Sequence, residues 1–241
     1  MSDRPENAAR IAAMIDHTLL KPNAMARDVE AYCVQALEHG FASVCVNPIH
    51  VPLVAERLHG SKVKTCSVVG FPLGAIPPML KAGEAAWACE NGADEIDMVI
   101  DIGSMLAGEH QAVEADIRAV REASPGRVLK VIIETCFLGK AQKEEACRIA
   151  EAAGADFVKT STGFGSGGAT EDDVRLMRGI VGDRLGVKAS GGIRTPEDFD
   201  LMVAAGANRI GASAGLAILK ETGGDGTPVA ADADTGGRSS Y

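Results

Sequence analysis

The sequence predicts an α/β protein built as a single (β/α)8 TIM barrel, with a short N-terminal helix and a flexible C-terminal tail. Its 241 residues are close to the roughly 250 typical of such barrels. Eight short β-branched runs alternate with longer helical stretches, which indicates a parallel sheet covered by helices. Glycine recurs where a helix ends and the next strand begins.

The strands are predicted near residues 15–19, 43–47, 64–70, 94–100, 128–135, 156–161, 186–190 and 209–213. Two helix starts are clearly marked, because Thr170 and Thr195 are each followed three residues later by an aspartate, and Pro196 suits a first helical turn. The helix ends carry Gly40, Gly92, Gly154 and Gly206. The repeat is too irregular for a solenoid, and eight such units favour a closed barrel over an open sheet.

Two regions follow from this pattern. Residues 1–220 are predicted to form the barrel domain. The segment 221–241, ETGGDGTPVAADADTGGRSSY, has no apolar periodicity and is rich in Gly, Ala and Asp. It is therefore predicted to be a flexible tail.

Composition excludes several classes of protein. The net charge of −9 disfavours a nucleic-acid partner, and no apolar run is long enough to span a membrane. The first residues are polar and lack the apolar stretch of a secretory signal, so a cytoplasmic location is expected. The six cysteines are scattered without metal-ligand spacing, which predicts reduced thiols and no metal site.

Ionisable residues stand within apolar strands, where a buried charge is costly unless it is paired. They are Asp97 in ADEIDMVI, Lys130 in VLKVIIE, Lys159 in ADFVKTST and Lys188 in GVKASGG. One interpretation is a structural salt-bridge network centred on Asp97. The other is that three interior lysines, facing few acids (Asp16, Asp97 and Glu134), crowd one another until one becomes a neutral amine and hence a nucleophile toward carbonyls. The pair Lys159 and Lys188 fits the second interpretation.

Glycine-rich segments follow the last three strands. The segment 163–168 matches G-x-G-x-x-G, and Ser190-Gly191-Gly192 and Gly211-Ala212-Ser213 end the next two strands. A flexible loop explains the first segment about as well as a phosphate site does. Barrels often bind phosphate at this position through backbone amides, so a phosphorylated substrate is the hypothesis.

These motifs together resemble the deoxyribose-phosphate aldolase family over nearly the whole chain. The matching segments are IDHTLLKP, ADEIDMVI, LKVIIET, ADFVKTSTGF and VKASGGIRT. The resemblance implies a class I aldolase, a carbon-carbon lyase of deoxyribose phosphate catabolism without a cofactor. It would reversibly cleave 2-deoxy-D-ribose 5-phosphate to D-glyceraldehyde 3-phosphate and acetaldehyde.

The resemblance also implies catalytic roles. Lys159 matches the Schiff-base lysine, Lys188 the second lysine that keeps it neutral, and Asp97 the acid that relays protons. Some family members end in a tyrosine on a mobile tail that assists proton transfer, and Tyr241 stands at the matching place. A tail that ends in tyrosine by chance is the alternative.

Substrate-binding roles follow in the same way. Asp16 and Thr18 match the polar wall around the substrate, and Lys130 matches a further barrel lysine with an electrostatic role. The phosphate-loop positions are Gly163, Gly191, Gly192 and Ser213. The chain departs from some members at Phe164, where they have lysine, and at Ala214, where they have a second serine. His17 is expected to be structural, and Cys45 to line the pocket.

Rival functions remain open on this fold: another lysine aldolase, a phosphosugar isomerase, or an inert barrel that senses a phosphometabolite. The expected partners are small phosphosugar and aldehyde substrates. The oligomeric state is left open, with a homodimer as one candidate.

Overall fold

The eight strands form a closed parallel barrel in chain order, with β8 pairing back onto β1. The computed structural model describes residues 3–221, with side chains described for 7–219. The strands are β1 Ile15–Leu19, β2 Ser43–Val46, β3 Lys64–Val69, β4 Glu95–Val99, β5 Val128–Ile132, β6 Phe157–Lys159, β7 Gly186–Ser190 and β8 Arg209–Ala212. The predicted fold class is confirmed, although β5 ends three residues earlier than predicted.

Helices surround the barrel, and the predicted short N-terminal helix is the first of them. They are α1 Asp3–Ala12, α2 Ala26–His39, α3 Val51–Leu58, α4 Pro78–Glu90, α5 Ile102–Ala107, α6 His110–Ala123, α7 Lys140–Ala152, α8 Glu171–Val181, α9 Pro196–Ala204 and α10 Gly215–Glu221. Two 3₁₀ turns, Pro48–His50 and Thr135–Phe137, lie in the connections. Residues 222–241, which make up nearly all of the predicted tail and include Tyr241, lie outside the described residues.

Local chemistry sets the helix ends as the sequence predicts. The hydroxyl of Thr170 accepts a hydrogen bond from the Asp173 amide, and Thr195 does the same for Asp198. Each satisfies a backbone donor that the first helical turn leaves unpaired. At the other end of a helix, Gly40 closes α2 in the left-handed conformation that glycine adopts without strain.

Alternation along the strands divides the interior into two layers. One set of side chains, such as Val44, Ile96 and Val131, packs outward against the helices in a single large apolar core. The alternate set points toward the barrel axis because side chains in a strand change face at every residue. Most ionisable strand residues belong to this second set, and the barrel axis is therefore charged. None of the helices between residues 3 and 221 has the length and apolar character needed to cross a membrane.

Candidate active site

A cavity of about 300 Å³ opens at the carboxyl ends of the strands, where barrel enzymes place their active sites. It brings together six of the residues that the sequence predicts for the site: Thr18, Lys159, Gly163, Gly191, Gly192 and Ser213. These residues come from four different strand ends and their loops, so only the closed barrel makes them neighbours.

Asp97 lies beneath this cavity and joins all three interior lysines. Its Oδ1 is 2.8 Å from Lys130 Nζ, and its Oδ2 is 2.7 Å from both Lys159 Nζ and Lys188 Nζ. Strand register explains this convergence, because Asp97 pairs with Lys130 across β4 and β5, and Lys159 pairs with Lys188 across β6 and β7. Asp97 is fully buried.

Two of these lysines continue into a closed circuit of charges, here called the ion ring. Lys188 Nζ lies 2.5 Å from Asp16 Oδ2, and Lys130 Nζ lies 2.6 Å from Glu95 Oε2. Arg209 closes the circuit by contacting both Asp16 and Glu95. In order, the ring is Asp16, Lys188, Asp97, Lys130, Glu95 and Arg209, with three carboxylates alternating with three cations.

Lys159 stands apart from the ring. Its ammonium contacts one carboxylate, that of Asp97, whereas each ring cation has two carboxylate partners within 3 Å. Lys159 also lines the cavity and keeps 3% of its side chain exposed, while Lys130 and Lys188 have none exposed. With Lys159 neutral, three carboxylates face three cations. When Lys159 is protonated, it is therefore the one cation in excess of the carboxylates. It is also the lysine of this group that a ligand in the cavity can reach.

The ring members are held in their charged forms. Burial opposes ionisation of Asp97, but the three lysines outweigh it and hold its pKa well below the usual range. Asp16 is held low in the same way, against burial, by Arg209, Lys188 and Lys130. Burial alone would lower the pKa of Lys188, yet Asp16 and Asp97 together raise it. Lys188 is consequently a fixed cation beside Lys159.

Two predicted substrate residues occupy a different place from the expected one. The sequence groups Asp16, as part of the polar wall, and Lys130, with an electrostatic role, among the substrate-binding residues, but both side chains are fully buried in the ion ring below the cavity. Asp16 also accepts a hydrogen bond from the Ser43 hydroxyl at 2.6 Å. Thr18 does line the cavity, and its hydroxyl donates to the Asp16 carbonyl oxygen at 2.8 Å.

The sequence interpretation missed Glu95 and Arg209, which supply one third of the ring. Each begins its strand, at the end of the barrel opposite the cavity. A signal was present, since Glu95 precedes Asp97 by two residues and therefore shares its face of β4. Glu134 is the converse case, because it was counted among the acids facing the lysines but forms none of their ion pairs in the described residues.

Glu134 instead anchors the loop that follows Lys159. Its carboxylate accepts hydrogen bonds from the Thr162 amide at 3.2 Å and from the Thr162 hydroxyl at 2.5 Å. The same hydroxyl accepts from the Phe164 amide at 3.0 Å. Glu134 has a φ of 54°, the one positive φ of a non-glycine residue in the described chain. Such strain persists where surrounding contacts impose it.

Glycine backbones form the cavity mouth. Gly163, Gly191 and Gly192 each have a φ of 85°, a conformation that other residues adopt only with strain. A Cβ on Gly168 would lie 2.2 Å from the Gly191 carbonyl oxygen, so the loops after β6 and β7 touch through bare backbone. The Ala169 amide donates to the carbonyl oxygen of Gly191 at 3.0 Å and joins these loops. Glycines thus supply part of the lining of the mouth, beside residues with longer side chains.

Other buried polar groups have structural surroundings. His17 is buried, with Nε2 2.7 Å from Gln35 Oε1 and its ring stacked on Tyr32 at 4.1 Å, and burial lowers its pKa to about 4. The thiols of Cys45 and Cys66 lie within 4.8 Å of an Asp97 oxygen. They make a poor metal site, since burial raises the pKa of the Cys66 thiol well above its usual value and the ammonium groups beside Asp97 repel a cation.

Comparison of the sequence with known proteins shows the family of this chain. Residues 10–222 match the model of the DeoC/LacD family aldolases. The chain is 57% identical over 209 residues to the deoxyribose-phosphate aldolase of Deinococcus radiodurans, covering 87% of this chain and 95% of that one. It is 56% identical over 214 residues to the enzyme of the same name from Rhodospirillum rubrum, covering 89% and 90%.

A solved structure agrees. The deoxyribose phosphate aldolase from Aeropyrum pernix superposes with a TM-score of 0.84 at 34% identity, covering 91% of this chain and 93% of that chain. The match extends through every strand that contributes to the ion ring and to the cavity. The chain therefore belongs to the DeoC/LacD family of aldolases.

Proposed function

We propose that this protein is a class I aldolase that reversibly cleaves 2-deoxy-D-ribose 5-phosphate into D-glyceraldehyde 3-phosphate and acetaldehyde through a Schiff base on Lys159. The observation that carries the proposal is the position of Lys159. It is the one member of the buried lysine group that lines the cavity, and it has a single carboxylate partner. Relatives at 56% and 57% identity bear the name of this activity.

The chemistry follows from the neutral amine. Lys159 Nζ adds to the aldehyde carbon C1 of the open-chain sugar, and loss of water from the carbinolamine gives an iminium. The electron pair of the C2–C3 bond moves toward the iminium as the C3 hydroxyl loses its proton, which releases glyceraldehyde 3-phosphate and leaves an enamine. Protonation at C2 and addition of water then release acetaldehyde and restore the amine.

Asp97 and Lys188 support these steps without leaving the ring. Asp97 Oδ2 lies 2.7 Å from Lys159 Nζ, within the reach required of a group that accepts and returns a proton. Lys188 shares that same oxygen at 2.7 Å, and its fixed positive charge favours the neutral form of the neighbouring amine. Both residues act from beneath the substrate.

The mouth is suited to the phosphate. Gly163, Gly191, Gly192 and Ser213 line the cavity, and Arg194 lines it as well. Amides beside positive-φ glycines bind anions without side-chain entropy cost. The phosphate is therefore assigned to this end of the cavity, with the aldehyde toward Lys159 and Thr18 at its side.

Trapping with borohydride tests the proposal directly. Acetaldehyde and borohydride are expected to convert the Lys159 amine to its N-ethyl derivative, a net gain of C2H4 that peptide mass spectrometry would locate. Lys159→Arg keeps the positive charge but cannot form a Schiff base under these conditions, so it should form no adduct and release no acetaldehyde from deoxyribose 5-phosphate. An active wild type that is not trapped would overturn the mechanism. An isomerase would convert deoxyribose 5-phosphate without forming the adduct. A sensor would bind the sugar phosphate but would neither convert it nor form the adduct.

The tail forms a separate part of the proposal. Residues 1–220 are assigned to the barrel and 221–241 to a tail, although α10 includes residue 221. Tyr241 lies outside the described residues and is proposed to assist proton transfer at C2. Removing Tyr241 should slow deuterium exchange into acetaldehyde more than it weakens phosphate binding. Equal effects on both would count against this role.

Self-association and location complete the proposal. A shallow apolar groove is lined by Ile49, Pro52 and Trp87, with Ile49 78% and Trp87 41% exposed. The Aeropyrum pernix relative is described as having a tetrameric structure. We place a homodimer contact at this groove, and Ile49→Lys should reduce the mass measured by light scattering to that of a monomer.

A cytoplasmic location is supported by six free cysteines.

A further inference from the structure

The ion ring joins the active site to residues at the far end of the barrel. Arg209 and Glu95 begin β8 and β4, whereas Lys159 ends β6 next to the cavity. Neither Arg209 nor Glu95 lines the cavity, so neither can touch a substrate there. They meet each other at 2.7 Å and reach Asp97 only through Asp16, Lys130 and Lys188.

The number of charges in this cluster is odd. Three carboxylates face four cations when Lys159 is protonated, and three when it is not. The ring cations are strongly held, since Asp16 and Glu95 raise the pKa of Arg209 against its burial, and the neighbouring carboxylates raise that of Lys130 in the same way. An unequal number of positive and negative charges in the ring therefore acts mainly on the protonation of Lys159, the cation with the fewest carboxylate partners.

We propose that Arg209 and Glu95 are positioning residues that set the pH at which Lys159 becomes a neutral nucleophile. The inference rests on the proposed function of Lys159. Removing the Arg209 cation leaves the ring with one uncompensated carboxylate, which stabilises the ammonium of Lys159. Removing the Glu95 charge leaves an uncompensated cation, which destabilises that ammonium. The two changes act with opposite signs.

The other groups around Lys159 are part of this balance and stay constant in the comparison. Lys130 and Lys188 face it from β5 and β7, Asp97 from β4 and Asp16 from β1. The thiols of Cys45 and Cys66 lie beside Asp97 from β2 and β3. A single charge about 10 Å away in a protein interior shifts a proton equilibrium by about one pH unit.

The test is the pH profile of borohydride trapping with acetaldehyde, measured beside that of kcat/KM for deoxyribose 5-phosphate. Arg209→Gln should move the acidic limb up by about one pH unit, and Glu95→Gln should move it down by about the same amount. The double variant removes one charge of each sign and should return the limb close to its wild-type position. Arg209→Lys, which keeps the charge, should do likewise.

Controls separate this effect from a loss of structure. Arg148 is an exposed helix residue that pairs with Glu144 and Glu145, and Arg148→Gln should leave the acidic limb in place. If a single variant fails to fold, the charge-neutral double variant against wild type and the other single variant still reports the sign.

The outcomes are distinct. Limbs that move in opposite directions and recover in the double variant support the inference. Limbs that stay fixed, or that move together, overturn it while the wild-type adduct still forms. Absence of the wild-type adduct would instead overturn the proposed function.

Discussion

The ion ring below the cavity and the glycine loops at its mouth are built in opposite ways. The ring consists of charged side chains on strands, most of them without exposed area and each paired with opposite charges. The mouth includes backbone at positive φ, where Gly163, Gly191 and Gly192 present no side chains. Under the proposed function the difference separates two tasks: charge below the cavity controls the nucleophile, and shape at the mouth selects the substrate.

The largest expected effect comes from breaking the ring at Asp97. Asp97→Asn leaves three ammonium groups around one neutral amide, and an uncompensated buried charge costs about 3 kcal/mol or more of unfolding free energy. Urea denaturation should show this loss, and trapping at Lys159 should fall with it. Asp101→Asn is the matched control, because Asp101 caps α5 through the Ser104 amide and asparagine caps as well. Equal stability of the two variants would contradict the ring.

A change at the mouth should affect binding more than reactivity. At Gly191 a Cβ would lie 3.1 Å from Gly168 Cα in addition to the strain of φ 85°, whereas at Gly192 it would meet open space at the same φ. Gly191→Ala should raise KM for deoxyribose 5-phosphate by about tenfold more than Gly192→Ala does, through crowding of the loops. With unphosphorylated 2-deoxyribose, the two variants should behave alike. A matching difference with that sugar would place the defect outside phosphate binding.

The two regions should also differ in how stability depends on pH. The lowered pKa values of Asp16 and Asp97 stabilise the fold above the unfolded carboxyl pKa of about 3.9, and this contribution is lost as pH falls below it. The raised pKa of Lys188 stabilises the fold below about 10.4, and this contribution is lost as pH rises further. The lowered pKa of His17 also removes stability as pH falls below about 6.5, and the raised pKa values of buried thiols remove it above about 8.5, so unfolding free energies should form a plateau between about pH 6.5 and pH 8.5. Gly192→Ala should lower the plateau without changing its shape; a changed shape would link the mouth to the ring.

The smallest expected effect concerns the anchor between the two regions. Thr162→Val removes the hydroxyl that donates to Glu134 and accepts from the Phe164 amide, at a cost of about 1 kcal/mol in loop order. KM should rise about threefold to fivefold with kcat nearly unchanged. Thr135→Val is the control, since the buried Thr135 hydroxyl has no hydrogen-bond partner among the described residues. If steady-state kinetics show equal KM changes in the two variants, the hydrogen bond between Thr162 and Glu134 does not order the loop.

Sequence reasoning reached the fold because strands, caps and helix-ending glycines are local signals. Thr170 and Thr195 form the predicted caps, and each predicted strand is present. It also found Lys159, Lys188 and Asp97, because a charge within an apolar run is conspicuous. These signals depend on neighbours within a few positions along the chain.

The complete ion ring could not be predicted from local sequence patterns, because its members are far apart along the chain. Arg209 and Asp16 are 193 positions apart, and they meet because β8 closes onto β1. Glu95 and Arg209 also resemble ordinary polar residues at strand starts, where solvent exposure is the usual expectation. The expectation that Glu134 faces the lysines was wrong for a related reason: it adopts a positive φ, and its carboxylate binds Thr162 instead. Register and backbone geometry, rather than residue type, decide these contacts.

The closed alternation of the ring has a consequence for how this barrel can diversify. Loops at the mouth can be exchanged for others without altering the charge balance that activates Lys159, because no ring member belongs to them. Positions 95 and 209 are constrained differently, since a change at one that alters its charge should be tolerated when the other changes in compensation. Substrate range should therefore evolve by single substitutions, and the working pH of the nucleophile by paired ones.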